Sequence, residues 1–327
     1  INDNRNLFNY VSDKKVETDM TSLSEESFLF LSQKEYKLKE KIERIGKPLK
    51  DWDVNIYYGI KTGLNEAFII NTRQRDLILS NCKDENERKR TEELIKPILR
   101  GRDIGRYCYN WARLWMIIIP AGWTNSNKGS MDAEEYFKVT LPALYNYLAS
   151  FLKTSPKGRK KGLLNRDDQG DYWWELRPCD YYSEFEKEKI VWQEIVTEPQ
   201  FTYDTNKYFI EATAFVMTGD SIKYICGLLN SKPIAYFFKT FFAGGGLGEE
   251  GFRYKKAFLE QLPIPLIKNE NKHFISQIES LVDQIHTLKS QDCSSNTSEL
   301  ETKIDKLIYK LYKLTPEEIE IIEQKSG

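Results

Sequence analysis

The sequence predicts a mixed α/β (α+β) chain: a mixed β-sheet with flanking helices and a C-terminal helical pair. Three observations carry this. Short runs rich in β-branched and aromatic residues, such as EKIVWQEIV (188–196) and YFIEATAFVMTG (208–219), alternate with helix-forming text such as DENERKRTEELIK (84–96). From residue 272 the pattern changes to apolar residues at three- and four-residue steps. With 40% apolar and 30% charged residues over 327 positions, the chain has the means to bury a core rather than stay disordered.

Residues 1–30 are polar and then apolar at FLFL, as expected of a lead-in from a preceding domain; the opening INDNRN reads as a cut within a longer polypeptide. Ser32 with Glu35 forms a capping box for a helix that stops at Gly46. In DWDVNIYYGIKTGLNEAFII, Val54, Ile56 and Tyr58 alternate as in a strand. Gly59 and Gly63 bracket a turn and AFII resumes a strand, which predicts a hairpin-like unit. The helix over 84–96 ends or kinks at Pro97, and an apolar strand follows and stops at Pro120. Residues 132–152 are expected to be helical, with Phe137, Leu141, Leu144, Tyr145 and Leu148 on one side. KTSPKGRKKGLLNR (153–166) holds six basic residues and no acid, and is too polar for anything but a loop. A helix over 220–242 is interrupted at Pro233, and the Pro-x-Pro of residues 263–265 marks an exit segment. Ile275, Ile278, Leu281, Val282, Ile285 and Leu288, then Leu300, Ile304, Leu307, Ile308 and Leu311, predict an antiparallel helix pair. Thr315, Pro316 and Glu318 cap a last short helix.

Composition narrows the function classes. A net charge of −1 argues against a protein coated in positive charge, yet allows a local basic face. The five cysteines (Cys82, Cys108, Cys179, Cys226, Cys293) include no C-x-x-C pair, and with only His273 and His286 they offer no zinc site. They read as reduced thiols of a cytoplasmic protein. No apolar run reaches the ~20 residues of a membrane helix.

The stretch FFAGGGLGEEGFRYKK (241–256) contains both F-x-G-x-G and G-x-G-x-x-G, the glycine patterns of S-adenosylmethionine and dinucleotide loops. Such a loop follows a buried parallel strand and opens a helix. Here the preceding text is helix-like, and Pro263 cuts short the segment downstream, so no cofactor is assigned to this chain. The open alternatives are a mobile connector, or a bare backbone that approaches a phosphodiester beside Arg253, Lys255 and Lys256. No D/N/S-P-P-Y/F tetrapeptide is present, so the chain is not expected to methylate by itself. Pro178 and Asp180 with Glu186, Glu188 and Lys189 superficially match the P-D…(D/E)-x-K set of metal-dependent nucleases, but EFEKEK reads as a solvated turn.

The basic tract is the stronger signal. Lys157, Arg159, Lys160, Lys161 and Arg166 abut Trp173, Trp174 and Arg177; such cations bind phosphates, and an arginine can read guanine. Arg100, Arg102, Arg106 and Arg113 form a second cluster, in which Asp103 pairs with one arginine.

DWDVNIYYGIKTGLNEAFII, IKPILRGRDIGRY, WWELRPCDYYSEFEKEKIVWQEI, AFVMTGDSIKYICGLLNSKPIAYFFK and GFRYKKAFLEQLPIP, in this order, resemble the TaqI-like C-terminal specificity domain of type IIG restriction–modification enzymes of the Eco57I class. The closing IDKLIYKLYKLTPEEIEIIE is similar to the end of those proteins, and LPIP followed by a helix is similar to type I specificity subunits. The resemblance implies a target-recognition module for double-stranded DNA. It would be joined in the parent to a nuclease using Mg²⁺ and an N6-adenine methyltransferase using S-adenosylmethionine, to which base flipping delivers the target. It implies a linker and lead-in helix over 1–47, a recognition domain over 48–267 and a helical arm over 268–327. Lys61, Thr62 and Gly63 (IKTG) and Arg100 to Asp103 (ILRGRDI) match domain-defining positions. Base-reading residues are expected chiefly in 122–131 and 153–177. A docking scaffold for a methylase subunit and a stand-alone nuclease are the rival expectations.

Overall fold

The computed structural model describes residues 31–153, 162–243, 246–248 and 251–325. Its helices are α1 (Gln33–Ile45), α2 (Asn65–Phe68), α3 (Thr72–Ser80), α4 (Glu85–Glu93), α5 (Trp123–Asn127), α6 (Ala133–Thr140), α7 (Pro142–Ala149), α8 (Ile222–Leu229), α9 (Lys232–Phe237), α10 (Lys256–Leu259), α11 (Lys272–Gln291), α12 (Ser298–Leu311) and α13 (Pro316–Lys325). Its strands are β1 (Gly46–Pro48), β2 (Val54–Tyr58), β3 (Ile69–Asn71), β4 (Ile95–Leu99), β5 (Leu114–Ile117), β6 (Lys189–Gln193), β7 (Ile195–Val196), β8 (Phe201–Asp204), β9 (Phe209–Ile210), β10 (Ala214–Gly219), β11 (Phe252–Arg253) and β12 (Pro263–Pro265).

Strands β6 and β10, with the apolar middles IVW (190–192) and AFVM (214–217), are neighbours in a four-stranded antiparallel sheet of order β2-β10-β6-β8. Their middles are buried on both faces, which is why IVW and AFVM do not alternate with polar residues, while buried Lys189 at the start of β6 is paired with Asp204. Ile190, Trp192, Phe215 and Met217 point to one core, where α1, α8, α9 and the C-terminal helices pack. Val191, Ala214 and Val216 point to the other. That second core is closed by a mixed sheet of order β3-β5-β4-β9, in which β4 and β9 are parallel, and by α3, α6 and α7. The mixed α/β class is therefore what the chain adopts.

Locally encoded features fold as read. Ser32 caps α1 in a reciprocal box with Glu35, and Thr315 and Glu318 do the same for α13. α11 and α12 pack together as the expected pair. Gly46 does end α1, but in an extended conformation rather than a left-handed one. Its bare Cα is required by the β1–β12 ribbon, since a Cβ there would lie 2.3 Å from the Pro263 carbonyl. The two prolines of β12 sit at the ends of this two-stranded ribbon, where missing N–H donors are tolerated.

Four expectations are corrected. The helix expected over 84–96 ends at Glu93, and Ile95–Leu99 with Pro97 inside it is strand β4. The text 51–70 is not a hairpin: β2 pairs with the distant β10, while β3 pairs with β5 in the other sheet, so the chain crosses between sheets at residues 60–64. The helix over 132–152 is two helices, because Pro142 starts a new one. The cysteines are not all free thiols: Cys108 and Cys293 form a disulfide, with Cα atoms 5.8 Å apart, while Cys82, Cys179 and Cys226 are free. Among the described residues no helix is long and apolar enough to cross a membrane.

Candidate nucleic-acid interface

The crossing between the two sheets builds the first wall of an open cleft of about 550 Å³. After β2, Ile60 bridges to Glu211, and Gly63 turns the chain with φ +69°. A side chain at Gly63 would be strained and would press on Asp168 at 3.1–3.2 Å. Thr62 is buried and its hydroxyl donates to Asn65 Oδ1 (2.5 Å), while Asn65 Nδ2 donates to Glu211 (3.3 Å). The second wall is the 3-10 turn Gly101–Asp103 after β4. Asp103, itself buried, accepts from the Arg100 backbone N–H (2.9 Å), Nε (2.9 Å) and Nη2 (2.7 Å). These hydrogen bonds hold Arg100 more firmly protonated than a free arginine. The anticipated Asp103–arginine pair is therefore with Arg100, and it fixes the turn.

Lys61 and Arg102 project from the two walls. Both are exposed, and neither has a partner among the described residues. Fixed turns with unpaired cations suit phosphate oxygens: the turn is pre-set, so little order is lost on contact.

Next to the cleft, residues 122–127 and 168–175, parts of the two stretches expected to read bases, come together. The Glu175 carboxylate is buried and accepts N–H donors from Thr124 (2.9 Å), Gly122 (3.2 Å) and Asp171 (3.1 Å), which ties the 122–127 segment to the 168–175 loop. Trp174 Nε1 donates to Thr124 Oγ1 (2.8 Å); Asn125 Nδ2 donates to Asp171 (2.8 Å), and Tyr172 OH donates to Asn125 Oδ1 (2.8 Å). Beneath them the rings of Phe137, Trp174 and Tyr172 stack in succession, with centroids 5.0 and 4.8 Å apart. The result is a braced platform that exposes Asn127, Gln169 and Arg177. Glu175 was invisible in sequence; a buried acid shows itself only through the backbone donors around it.

The remaining candidate residues have different surroundings. Arg166 is corrected from a surface cation to a buried one. Its guanidinium donates to the Thr62 carbonyl (2.7 Å), the Trp173 carbonyl (3.3 Å) and the carbonyls of Asp168 and Glu175, and lies 4.6 Å from the Phe68 ring centroid. Burial lowers its pKa to about 10, which leaves it charged at neutral pH. Trp174 is buried likewise and offers no stacking face, and Trp173 packs half-buried against Tyr145 (5.9 Å). Arg177 is half-exposed and pairs with Asp168 (3.2 Å) on the cleft wall. Arg106 lies elsewhere, paired with Glu301 of α12 (2.5 Å). Arg253 and Lys255 share Glu194 (2.9 and 3.8 Å), and Lys256 pairs with Glu260 (3.7 Å), so this trio is locally neutralised rather than gathered at the cleft. Lys157, Arg159, Lys160 and Lys161 lie outside the described residues, as do Gly244 and Gly245.

The nuclease-like set is drawn into other work. Lys189 is fully buried, pairs with buried Asp204 (2.6 Å) and donates to the Phe185 carbonyl (2.7 Å). Glu188 accepts from Tyr203 OH, and Glu186 meets Lys96 (3.4 Å). These partners point the acids and the lysine in different directions rather than at one metal.

Comparison with known proteins bears on this arrangement. The chain is similar in structure to the type IIL restriction–modification enzyme MmeI, described in complex with DNA: 14% identity over 86% of this chain and 36% of that one, with a TM-score of 0.53. It is also similar to the type IIG restriction endonuclease BpuSI, at 14% identity over 86% of this chain and 34% of that one, with a TM-score of 0.46. The chain thus spans about a third of the length of these proteins. No curated protein matches it. Residues 96–264, just over half of the chain, match the TaqI-like C-terminal specificity domain, which is the specificity domain of restriction–modification enzymes. They run from the wall that carries Arg102, through the braced platform, to the β12 ribbon. On that match, the chain belongs to the TaqI-like C-terminal specificity domain family.

Proposed function

We propose that this chain is the sequence-specific double-stranded DNA recognition module of a bacterial restriction–modification enzyme. In a longer parent it positions an S-adenosylmethionine-dependent N6-adenine methyltransferase and a Mg²⁺-dependent endonuclease. The methyl donor and the metal belong to those other domains, and none of the described residues is assigned to either.

The observation that carries this reading is the cleft in which Lys61 and Arg102 stand unpaired beside the platform of residues 122–127 and 168–177. Lys61 and Arg102 engage phosphates and set register; Gln169 and Arg177 at the platform rim reach base edges. Arg177 can exchange its solvent-screened contact with Asp168 for O6 and N7 of a guanine. Catalysis, on this reading, lies outside the chain.

The test is selection of the full chain against a random-duplex library at low salt, with sequencing of the duplexes that stay bound. Low salt matters because each phosphate contact costs about 0.9 log units of affinity per log unit of salt. An enriched short motif containing an adenine supports target recognition. Binding without a motif reduces the claim to backbone affinity, and absence of binding favours a docking scaffold.

A further inference from the structure

The turn that presents Arg102 and the tip of the α11–α12 hairpin meet at a contact built around two cysteines. Residues 104–109 form a small hairpin: Ile104 bridges Tyr109, and the Gly105 N–H donates to the Cys108 carbonyl (2.8 Å). The Asn110 N–H donates to the Asp103 carbonyl (2.8 Å), so this hairpin is fastened to the Arg102 turn. Thr202 Oγ1 of β8 lies 2.7 Å from the Gly105 carbonyl and 2.8 Å from that of Cys108, which anchors it from below. Opposite lies the connection between α11 and α12, where Cys293 is joined to Cys108 across a sequence separation of 185. The neighbouring Arg106–Glu301 ion pair is partly exposed.

An open groove of about 720 Å³ separates the ends of α11 and α12, lined by Thr287, Leu288, Asn296 and Leu300. A partly exposed ion pair is a modest fastening. Cys108 and Cys293 are themselves half-buried, so small thiols and disulfides can reach them.

We propose that Cys108 and Cys293 form a reversible thiol–disulfide latch that sets how firmly the helical arm holds the recognition turn. The oxidant is a low-molecular-weight disulfide. One cysteine thiolate attacks it, forming a mixed disulfide and releasing one small thiolate. The second cysteine thiolate then attacks the protein sulfur of that mixed disulfide and releases the other. Two protein thiols lose two electrons in forming one S–S bond, and the small disulfide gains them as two thiols, which take up the two protons. Excess small thiol runs the exchange backwards. Closure restrains the 104–110 hairpin and, through Asp103, the turn bearing Arg102. Its effect on DNA rests on the proposed recognition role; the latch itself does not.

The experiment equilibrates the full chain with oxidised or reduced glutathione, then combines thiol alkylation and peptide mass spectrometry with amide hydrogen exchange. Oxidised glutathione is expected to yield the Cys108–Cys293 crosslinked peptide, and reduced glutathione to restore two alkylatable thiols. Exchange in 104–110 and 289–301 is expected to quicken on reduction. Cys108→Ser and Cys293→Ser are expected to exchange like the reduced protein in both buffers. Failure of the crosslink to form overturns the latch, as does a crosslink that leaves exchange in both segments unchanged. Duplex affinity, measured on the same samples, should be tighter by roughly 2–10-fold when the latch is closed, since less order remains to be lost on binding. Equal affinity in both states overturns the coupling to DNA. Absence of duplex binding in both states, with the exchange difference intact, overturns the recognition reading and leaves the latch supported.

Discussion

Replacing Arg166 with alanine removes a guanidinium that serves the backbone carbonyls of Thr62, Asp168, Trp173 and Glu175 at once. These four belong to the IKTG turn and to both arms of the 168–175 loop, so one side chain ties the cleft wall to the platform. A hydrogen bond to a charged group contributes about 1.5–3 kcal/mol, and a buried acceptor left bare costs about 1–3 kcal/mol. If water refills part of the vacated volume, about half of the gross loss over the four bonds remains, or about 3–6 kcal/mol. For a chain of this size that corresponds to a fall in Tm of about 4–9 °C. Arg166→Lys keeps the charge but cannot reach four carbonyls, so an intermediate fall is expected. Thermal melting measures this, and duplex binding against salt, well below the melting point, measures the rest. The folded variant should keep the wild-type salt slope. An unchanged Tm together with a slope shallower by about 0.9 would show that Arg166 meets a phosphate, and would refute the anchoring role.

Other substitutions separate the contributions of single groups. Lys61→Ala and Arg102→Ala should each lower the salt slope by about 0.9 while leaving the circular dichroism and Tm unchanged; an unaffected slope for both would remove the cleft from the interface. Lys189→Met strands the buried Asp204 carboxylate and should destabilise by about 3–5 kcal/mol in urea titration, whereas a loss near zero would mean the pair is not sealed from water. Burial raises the Asp305 carboxyl to about 6, so the folded state holds its proton longer than the unfolded chain. Stability from this group is therefore present near pH 4 and is lost as pH rises toward 6 and beyond. Asp305→Asn should flatten that part of the profile, and an identical profile in both proteins would dismiss the assignment. Glu175→Ala should accelerate amide exchange at Gly122, Thr124 and Asp171, whose N–H groups it accepts; exchange at wild-type rates would mean the platform is braced by other means.

Features decided within a few residues are the ones most legible in the sequence. The Ser32–Glu35 and Thr315–Glu318 boxes are local hydrogen-bond exchanges, and the α11–α12 pair follows from apolar spacing alone. The middles of β6 and β10 are legible as strands because burial on two faces favours the apolar runs IVW and AFVM. Partners are a different matter. β2 pairs with β10 across more than a hundred residues, and no turn signal announces that. The IKTG and ILRGRDI segments were legible as candidates, and the fold does bring Lys61 and Arg102 to one cleft. Arg166 was misread because it closes a basic run, and neighbours in sequence suggest solvent. Its true surroundings are carbonyls from residues 62, 168, 173 and 175. Cys108 and Cys293 carry no spacing pattern at all, since 185 residues separate them.

The sheet shared by two cores has a consequence for how such a molecule can vary over time. Along β6 and β10, alternate residues answer to different neighbourhoods: Trp192 and Phe215 to the helices of the arm, Val191 and Val216 to the layer beneath the cleft. A change in one set leaves the fit of the other intact, so the half that carries the cleft can drift while the half that carries the C-terminal helices stays constant. A shift of one residue in strand register would instead exchange the two sets and spoil both cores together. The same two strands thus permit diversity in side chains and forbid it in alignment, so the surface over one core can change without rebuilding the frame.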